Sequence, residues 1–96
     1  ISGCLPVIQA VRAAGLRYCP HYLGGGIGLM ASAHLLAAVD GIHHGGLLEI
    51  DANDNPLRTL LREPLLALDN GLARLGQAPG IGIEPDLQAL QSSCTR

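Results

Sequence analysis

Residues 18–29, Tyr18-Cys19-Pro20-His21-Tyr22-Leu23-Gly24-Gly25-Gly26-Ile27-Gly28-Leu29, decide how this chain is read. The short β-prone piece Leu16 to Cys19 is stopped by Pro20, which has no N–H to give a ladder. A loop with His21 and the consecutive glycines Gly24, Gly25 and Gly26 follows. Gly26 or Gly28 then opens a helix that is apolar nearly all round, from Ile27 to Val39. Such a helix is buried on more than one side. His21 falls just past a strand end, where α/β folds place their chemistry.

The segments on either side extend the alternation. Ile1-Ser2-Gly3 reads as a strand end or turn. Pro6 suits the first turn of a helix, Val7, Ile8, Ala10, Val11 and Ala14 give it an apolar face, and Gly15 closes it. Downstream, Asp40-Gly41 ends the second helix, and residues 42–46 form a loop with His43 and His44. Leu47-Leu48-Glu49-Ile50 is a short strand, and residues 51–56 are a polar turn. Strand–helix–strand–helix–strand predicts parallel strands with right-handed crossovers. From residue 53 the chain is a turn-rich wrap. It has a helical turn near Leu57 to Leu61, a hairpin turn at Asp69-Asn70-Gly71, and a last turn from Pro85 to Leu90 before a frayed end from Ser92.

Composition narrows the classes. With 96 residues there is room for at most one small domain. A chain 48% hydrophobic and 15% charged is not disordered, and without Trp or Phe its core must be Leu, Ile, Val and Ala. A net charge of −2 leaves no basic footprint for nucleic acid. The apolar run from Ile27 to Val39 is too short to span a bilayer and contains His34, so no membrane partner is expected. Three irregularly spaced Cys predict free thiols in a reducing, cytoplasmic setting. The first residue is Ile1 and the opening residues read as the end of an element, so a piece of a larger chain is expected. Three short strands cannot close a barrel. Their partners are expected to be the rest of that barrel or other copies of the chain, as a homo-oligomer.

Several motifs compete for the chemistry. Gly26-Ile27-Gly28-Leu29-Met30-Ala31 matches a dinucleotide fingerprint, but residues 20–25 separate the strand from its first glycine. The plainer reading is a tight strand-to-helix loop that lets backbone approach a ligand or neighbour. Asp51-x-Asn53-x-Asn55 starts like a calcium loop, but Pro56 and Arg62 stand where Gly and Glu are needed, so an Asx-rich turn is expected. Adjacent His43 and His44 point opposite ways on extended backbone and make no metal site. His34 on the apolar helix is expected to be a hydrogen-bonded core histidine. The remaining pair is His21 and Glu49, each at or beyond the C-terminal end of a strand in consecutive βα units. In a parallel barrel those ends share one rim.

From Ile1 to Asp86 the sequence resembles the C-terminal part of mandelate racemase/muconate lactonizing enzyme-like members of the enolase superfamily. The matching pieces are Ser2-Gly3-Cys4, Cys19 to Gly28, Ala31-Ser32-Ala33-His34-Leu35, Leu48-Glu49-Ile50-Asp51, Asn55-Pro56-Leu57-Arg58 and Pro79-Gly80-Ile81-Gly82-Ile83, in matching order and spacing. The resemblance implies an α/β fold, the last strands and helices of a modified (β/α)8 TIM-type barrel plus a C-terminal wrap-around segment. Residues 1–52 would be the last βα units, with strands six to eight ending at Gly3, Cys19 and Ile50. Residues 53–96 would pack on the barrel and on a capping domain outside this chain. It implies His21 as general acid/base on the carbon next to a carboxylate and Glu49 as hydrogen-bond donor to that carboxylate. The substrate would be a hydroxy acid or acid sugar, with racemase or dehydratase chemistry. Gly24, Gly25 and Gly26 are weaker candidates for substrate contact. It also implies Mg2+ on carboxylates of earlier strands, and an acidic partner for the histidine just before Ile1, none of them in this chain. The chain alone is then expected to be inactive. Two other readings stand beside this one: an anion- or nucleotide-binding module using the Gly-rich loop, and a non-catalytic fragment that self-associates.

Overall fold

The computed structural model describes residues 1–39, 43, 45–61, 65 and 67–94. The chain begins with a 3-10 turn, Ser2–Cys4, that runs straight into helix α1, Leu5–Ala13. Of the strand end or turn expected at Ile1 to Gly3, the structure has the turn; the strand end that the resemblance implies there is not seen. Cys4 N–H donates to Ile1 O at 2.9 Å, and Pro6 in the first turn costs no helix bond. Gly15 leaves the helix with φ +68°, the left-handed conformation glycine adopts freely.

Helix α2, Gly26–Ala38, is the centre of the structure. It starts at Gly26, with extended Gly25 before it, and buries Leu29, Met30, Ala33, Leu35 and Leu36. Leu29, Met30 and Ala33 join Leu65 in one core, against which Leu48, Ile50, Ala73, Leu75, Ile81 and Ile83 pack. The core therefore takes residues from both halves of the chain. Helix α3, Pro56–Thr59, is capped by the Asn55 side chain, which accepts from Arg58 N–H. It lies against α2 and against α4, Leu87–Cys94.

Strands are fewer than the sequence predicts. The sheet among the described residues is the two-stranded hairpin of β1, Leu68–Asp69, and β2, Leu72–Ala73. Asn70 at φ 51° and Gly71 at φ 78° make its turn, as the Asp-Asn-Gly signal indicates. The expected strands at residues 16–19 and 47–50 reduce to one parallel bridge, His21 to Glu49. Their direction is as expected, but their extent is not. Parallel strands are stable when both faces are covered, and here Leu16 is 64% and Leu47 65% exposed.

The C-terminal end also departs from expectation. Asp86 Oδ1 accepts from Gln88 N–H and Ala89 N–H, each at 3.0 Å, which starts α4 firmly. The hydroxyls of Ser92 and Ser93 then bond back to the carbonyls of Gln88 and Ala89. The helix runs to Cys94 rather than fraying at Ser92. The expected helix end at Asp40-Gly41, the loop residues Ile42 and His44, and Thr95 and Arg96 lie outside the described residues. No described helix is long and apolar enough to cross a membrane.

Two glycines of the loop and helix start separate two kinds of close approach. A Cβ on Gly26 would lie 2.4 Å from the Leu61 carbonyl oxygen, which is backbone. A Cβ on Gly28 would lie 2.1 Å from the ring of Tyr22, a side chain that is 43% exposed and free to swing aside. Gly26→Ala is therefore expected to destabilise the protein by about 1–3 kcal/mol. Gly28→Ala costs less, because helix propensity returns up to about 1 kcal/mol. Denaturant unfolding of the two variants checks the order, and a Gly28→Ala variant the less stable of the two contradicts it.

Candidate active site

Pro20 and His21 on one side, and Glu49 on the other, form the candidate site. Pro20 is buried, and its carbonyl accepts from Glu49 N–H at 3.1 Å. That bond sets the parallel register of His21 and Glu49. Side chains on extended backbone alternate between faces. Leu48 and Ile50 pack on the α2 core, so Glu49 between them points away from α2, on the face of exposed Leu47. On the other stretch Pro20 is buried and Cys19 and His21 are exposed. Both chemical side chains thus leave the face that α2 does not cover.

There, Nε2 of His21 lies 3.6 Å from Oε1 of Glu49, with the side chains 44% and 63% exposed. This is beyond hydrogen-bond length and leaves both groups free to meet a third molecule. An imidazole and a carboxyl group on one rim can move a proton and hold an anion or hydroxyl beside it.

The glycines Gly24, Gly25 and Gly26 are used within the chain. None has a positive φ. Gly24 and Gly28 lie under the Tyr22 ring, Gly25 rests against Leu57, and the space at Gly26 is filled by Leu61 backbone. A carbonyl oxygen at that point disfavours a phosphate there, against the dinucleotide reading. The structure gives these glycines a packing role and brings no described ligand group to them.

The other candidates fall to structural roles. His34 donates from Nε2 to the carbonyl of Ile81 at 3.1 Å, tying the tail to α2 as a core histidine. Asp51 and Asn53 form the Asx turn that replaces a calcium loop, with Asn53 N–H donating to Asp51 Oδ1 at 3.1 Å. Cys4, Cys19 and Cys94 are free and exposed. Among the described residues no three of His, Cys, Asp and Glu come together to hold a metal. The described residues thus offer no Mg2+ site of their own; the resemblance places the ligands of that ion on strands outside this chain.

The sequence reading missed Arg58. It is 3% exposed, and its Nη1 donates to Asp51 Oδ2 at 3.1 Å while Nη2 donates to the Asn53 carbonyl. The available signal was a cation in the apolar stretch Leu57 to Leu61, placed after an acidic turn.

Residues 1–89 match the family described as enolase C-terminal domain-like. The chain belongs to that family. A mandelate racemase/muconate lactonizing enzyme from Bordetella bronchiseptica RB50 is 66% identical and superimposes with a TM-score of 0.85, over 95% of this chain and 25% of that one. D-galactarolactone cycloisomerase of Agrobacterium fabrum is 37% identical over 82 residues, which is 79% of this chain and 21% of that protein. Arabinonate dehydratase of Saccharolobus solfataricus is 28% identical over 82 residues, which is 85% of this chain and 21% of that protein. The chain thus spans about a fifth of the length of these curated relatives. The relatives are enzymes of the enolase superfamily, an α/β TIM-barrel type of protein, and the enolase C-terminal domain is the segment matched here.

The Asp51 carboxyl is held below the usual aspartate range, first by Asn53 N–H and then by the Asn53 amide and the Arg58 guanidinium, against partial burial. A carboxyl lowered in the folded state stabilises it above the unfolded value of about 3.9, and this is lost as pH falls through the folded value. The turn at residues 51–58 is therefore expected to loosen only in acid. Asp51→Asn should flatten the acid limb of the stability profile below about pH 4. An acid limb unchanged in that variant contradicts the assignment.

Proposed function

We propose that this chain supplies two catalytic side chains to an enolase-superfamily enzyme that abstracts the α-proton of a carboxylate. The observation that supports it is the parallel bridge between His21 and Glu49, on the face left open by α2. In this reading residues 1–52 are the last βα units of a modified (β/α)8 barrel. Residues 53–96 pack on those units and on a capping domain outside the chain.

His21 is the general acid/base. Its neutral imidazole takes the proton from the carbon next to the carboxylate, and the C–H electron pair moves into the carboxyl group. In a racemase the proton returns to carbon; in a dehydratase an acid protonates a departing hydroxyl. Glu49, when it carries a proton, donates a hydrogen bond to the carboxylate oxygen on which charge builds. Such a bond counts most when it is stronger in the transition state than in the bound acid. The names of the relatives suggest the substrate class, an acid sugar or its lactone, with simple hydroxy acids as the second candidate. Mg2+ would be held by carboxylates outside this chain. Leu16 and Leu47 would be covered by neighbouring barrel strands or by another copy in a homo-oligomer.

The test uses the enzyme that carries this chain, in deuterated water, with arabinonate, galactarolactone and mandelate as probes and NMR loss of the α-proton as readout. One of them should exchange. His21→Asn should abolish exchange on one face of the α-carbon. Glu49→Gln should lower turnover by about 10²–10³ with a smaller effect on affinity. Unchanged exchange in His21→Asn defeats the proposal. The 96-residue chain by itself should show neither exchange nor specific Mg2+ binding, and turnover by it alone would overturn the division of labour.

A further inference from the structure

We infer that Arg58 is a positioning residue for Glu49, holding the chain on the far side of Glu49 in the register that Pro20 sets on the near side. The inference rests on the role proposed for Glu49 above. Glu49 N–H donates to Pro20 O on the other stretch, and its carboxyl is 63% exposed with His21 at 3.6 Å. Its side chain is not wedged in place, so its position must come from the backbone on both sides. Upstream that is the Pro20 bond. Downstream, Ile50 packs on the core and the next residues are gripped by Arg58.

The grip is specific to that stretch. Both guanidinium contacts fall on residues 51–53, Nη1 on the Asp51 carboxylate and Nη2 on the Asn53 carbonyl. Arg58 is itself fixed, because its backbone N–H meets Asn55 Oδ1 at 3.3 Å and Asn55 O at 3.0 Å. The arrangement has a cost. Nε of Arg58 is buried without a hydrogen-bond partner. Burying an unsatisfied N–H is unfavourable, and an apolar side chain of similar volume often replaces a buried ion pair without loss of stability. A planar fork that fixes two points of a turn offers what an apolar side chain cannot, a defined register. Catalytic groups need placement to a fraction of an ångström, and small misplacements from a distance lower rates steeply.

The test is a double-mutant cycle of Arg58→Gln and Glu49→Gln in the enzyme that carries this chain, with kcat and KM read on whichever probe acid exchanges its α-proton. Arg58→Gln should lower kcat about tenfold with KM changed by less than about twofold. In the Glu49→Gln background the same change should cost less than about twofold, because Arg58 acts through Glu49. If Arg58→Gln does not fold, Arg58→Lys, which keeps the charge facing Asp51 but gives up the fork, runs the same cycle with the same criteria. An equal loss in both backgrounds, or a loss confined to KM, overturns the positioning role and leaves the role of Glu49 standing. Unchanged turnover in Glu49→Gln alone overturns the role of Glu49 and this inference with it.

Discussion

The hydrogen bond from Glu49 N–H to the Pro20 carbonyl is the constraint on which the site depends. It joins two stretches separated by α2 and brings a histidine and a glutamate into one register. A single backbone bond contributes only about 0.5–1.5 kcal/mol net, too little to set register by itself. The burial of α2 does the rest. Leu48 and Ile50 press on the same core as Leu29 and Met30, so a slip of one residue would turn Glu49 inward and expose both apolar neighbours. Packing energy thus enforces the face on which Glu49 stands.

The tail completes that packing. Ala73 in the hairpin, Leu75 just after it, and Ile81 and Ile83 pack on the same α2 core, and the His34–Ile81 bond fixes where the tail crosses it. Between strand and tail, Asp51, Asn53, Asn55 and Arg58 form a closed polar turn whose donors and acceptors mostly satisfy each other. The chain spends its glycines in the same way. Gly26 lets the Leu61 backbone reach α2, while Gly28 accommodates a ring.

Much of this was legible in the sequence where one residue type has one physical use. Pro6, Gly15 and the Asn70-Gly71 pair marked a helix start, a helix end and a hairpin because each offers a conformation few other residues do. The apolar second helix and its hydrogen-bonded His34 followed from composition on one continuous run. His21 and Glu49 were singled out by the family resemblance, which added to the readable strand ends and parallel order, and the bridge joins their backbones. What was lost depends on neighbours. The strands at residues 16–19 and 47–50 need covered faces to extend, and the length of α4 was set by Asp86 and two serine hydroxyls. Arg58 was missed because its local signal, a cation in an apolar stretch after an acidic turn, gains meaning only from the partners that fold around it.

The central claim is that His21 and Glu49 address one carboxylate substrate from one rim. A crystal structure of the enzyme that carries this chain, with an acid sugar bound, tests it most directly. The account predicts the Pro20–Glu49 bond intact, the His21 imidazole within about 3–3.5 Å of the α-carbon, and the Glu49 carboxyl at hydrogen-bond distance from the substrate carboxylate. An acid bound away from both side chains, or His21 and Glu49 on opposite faces of the strands, would contradict it.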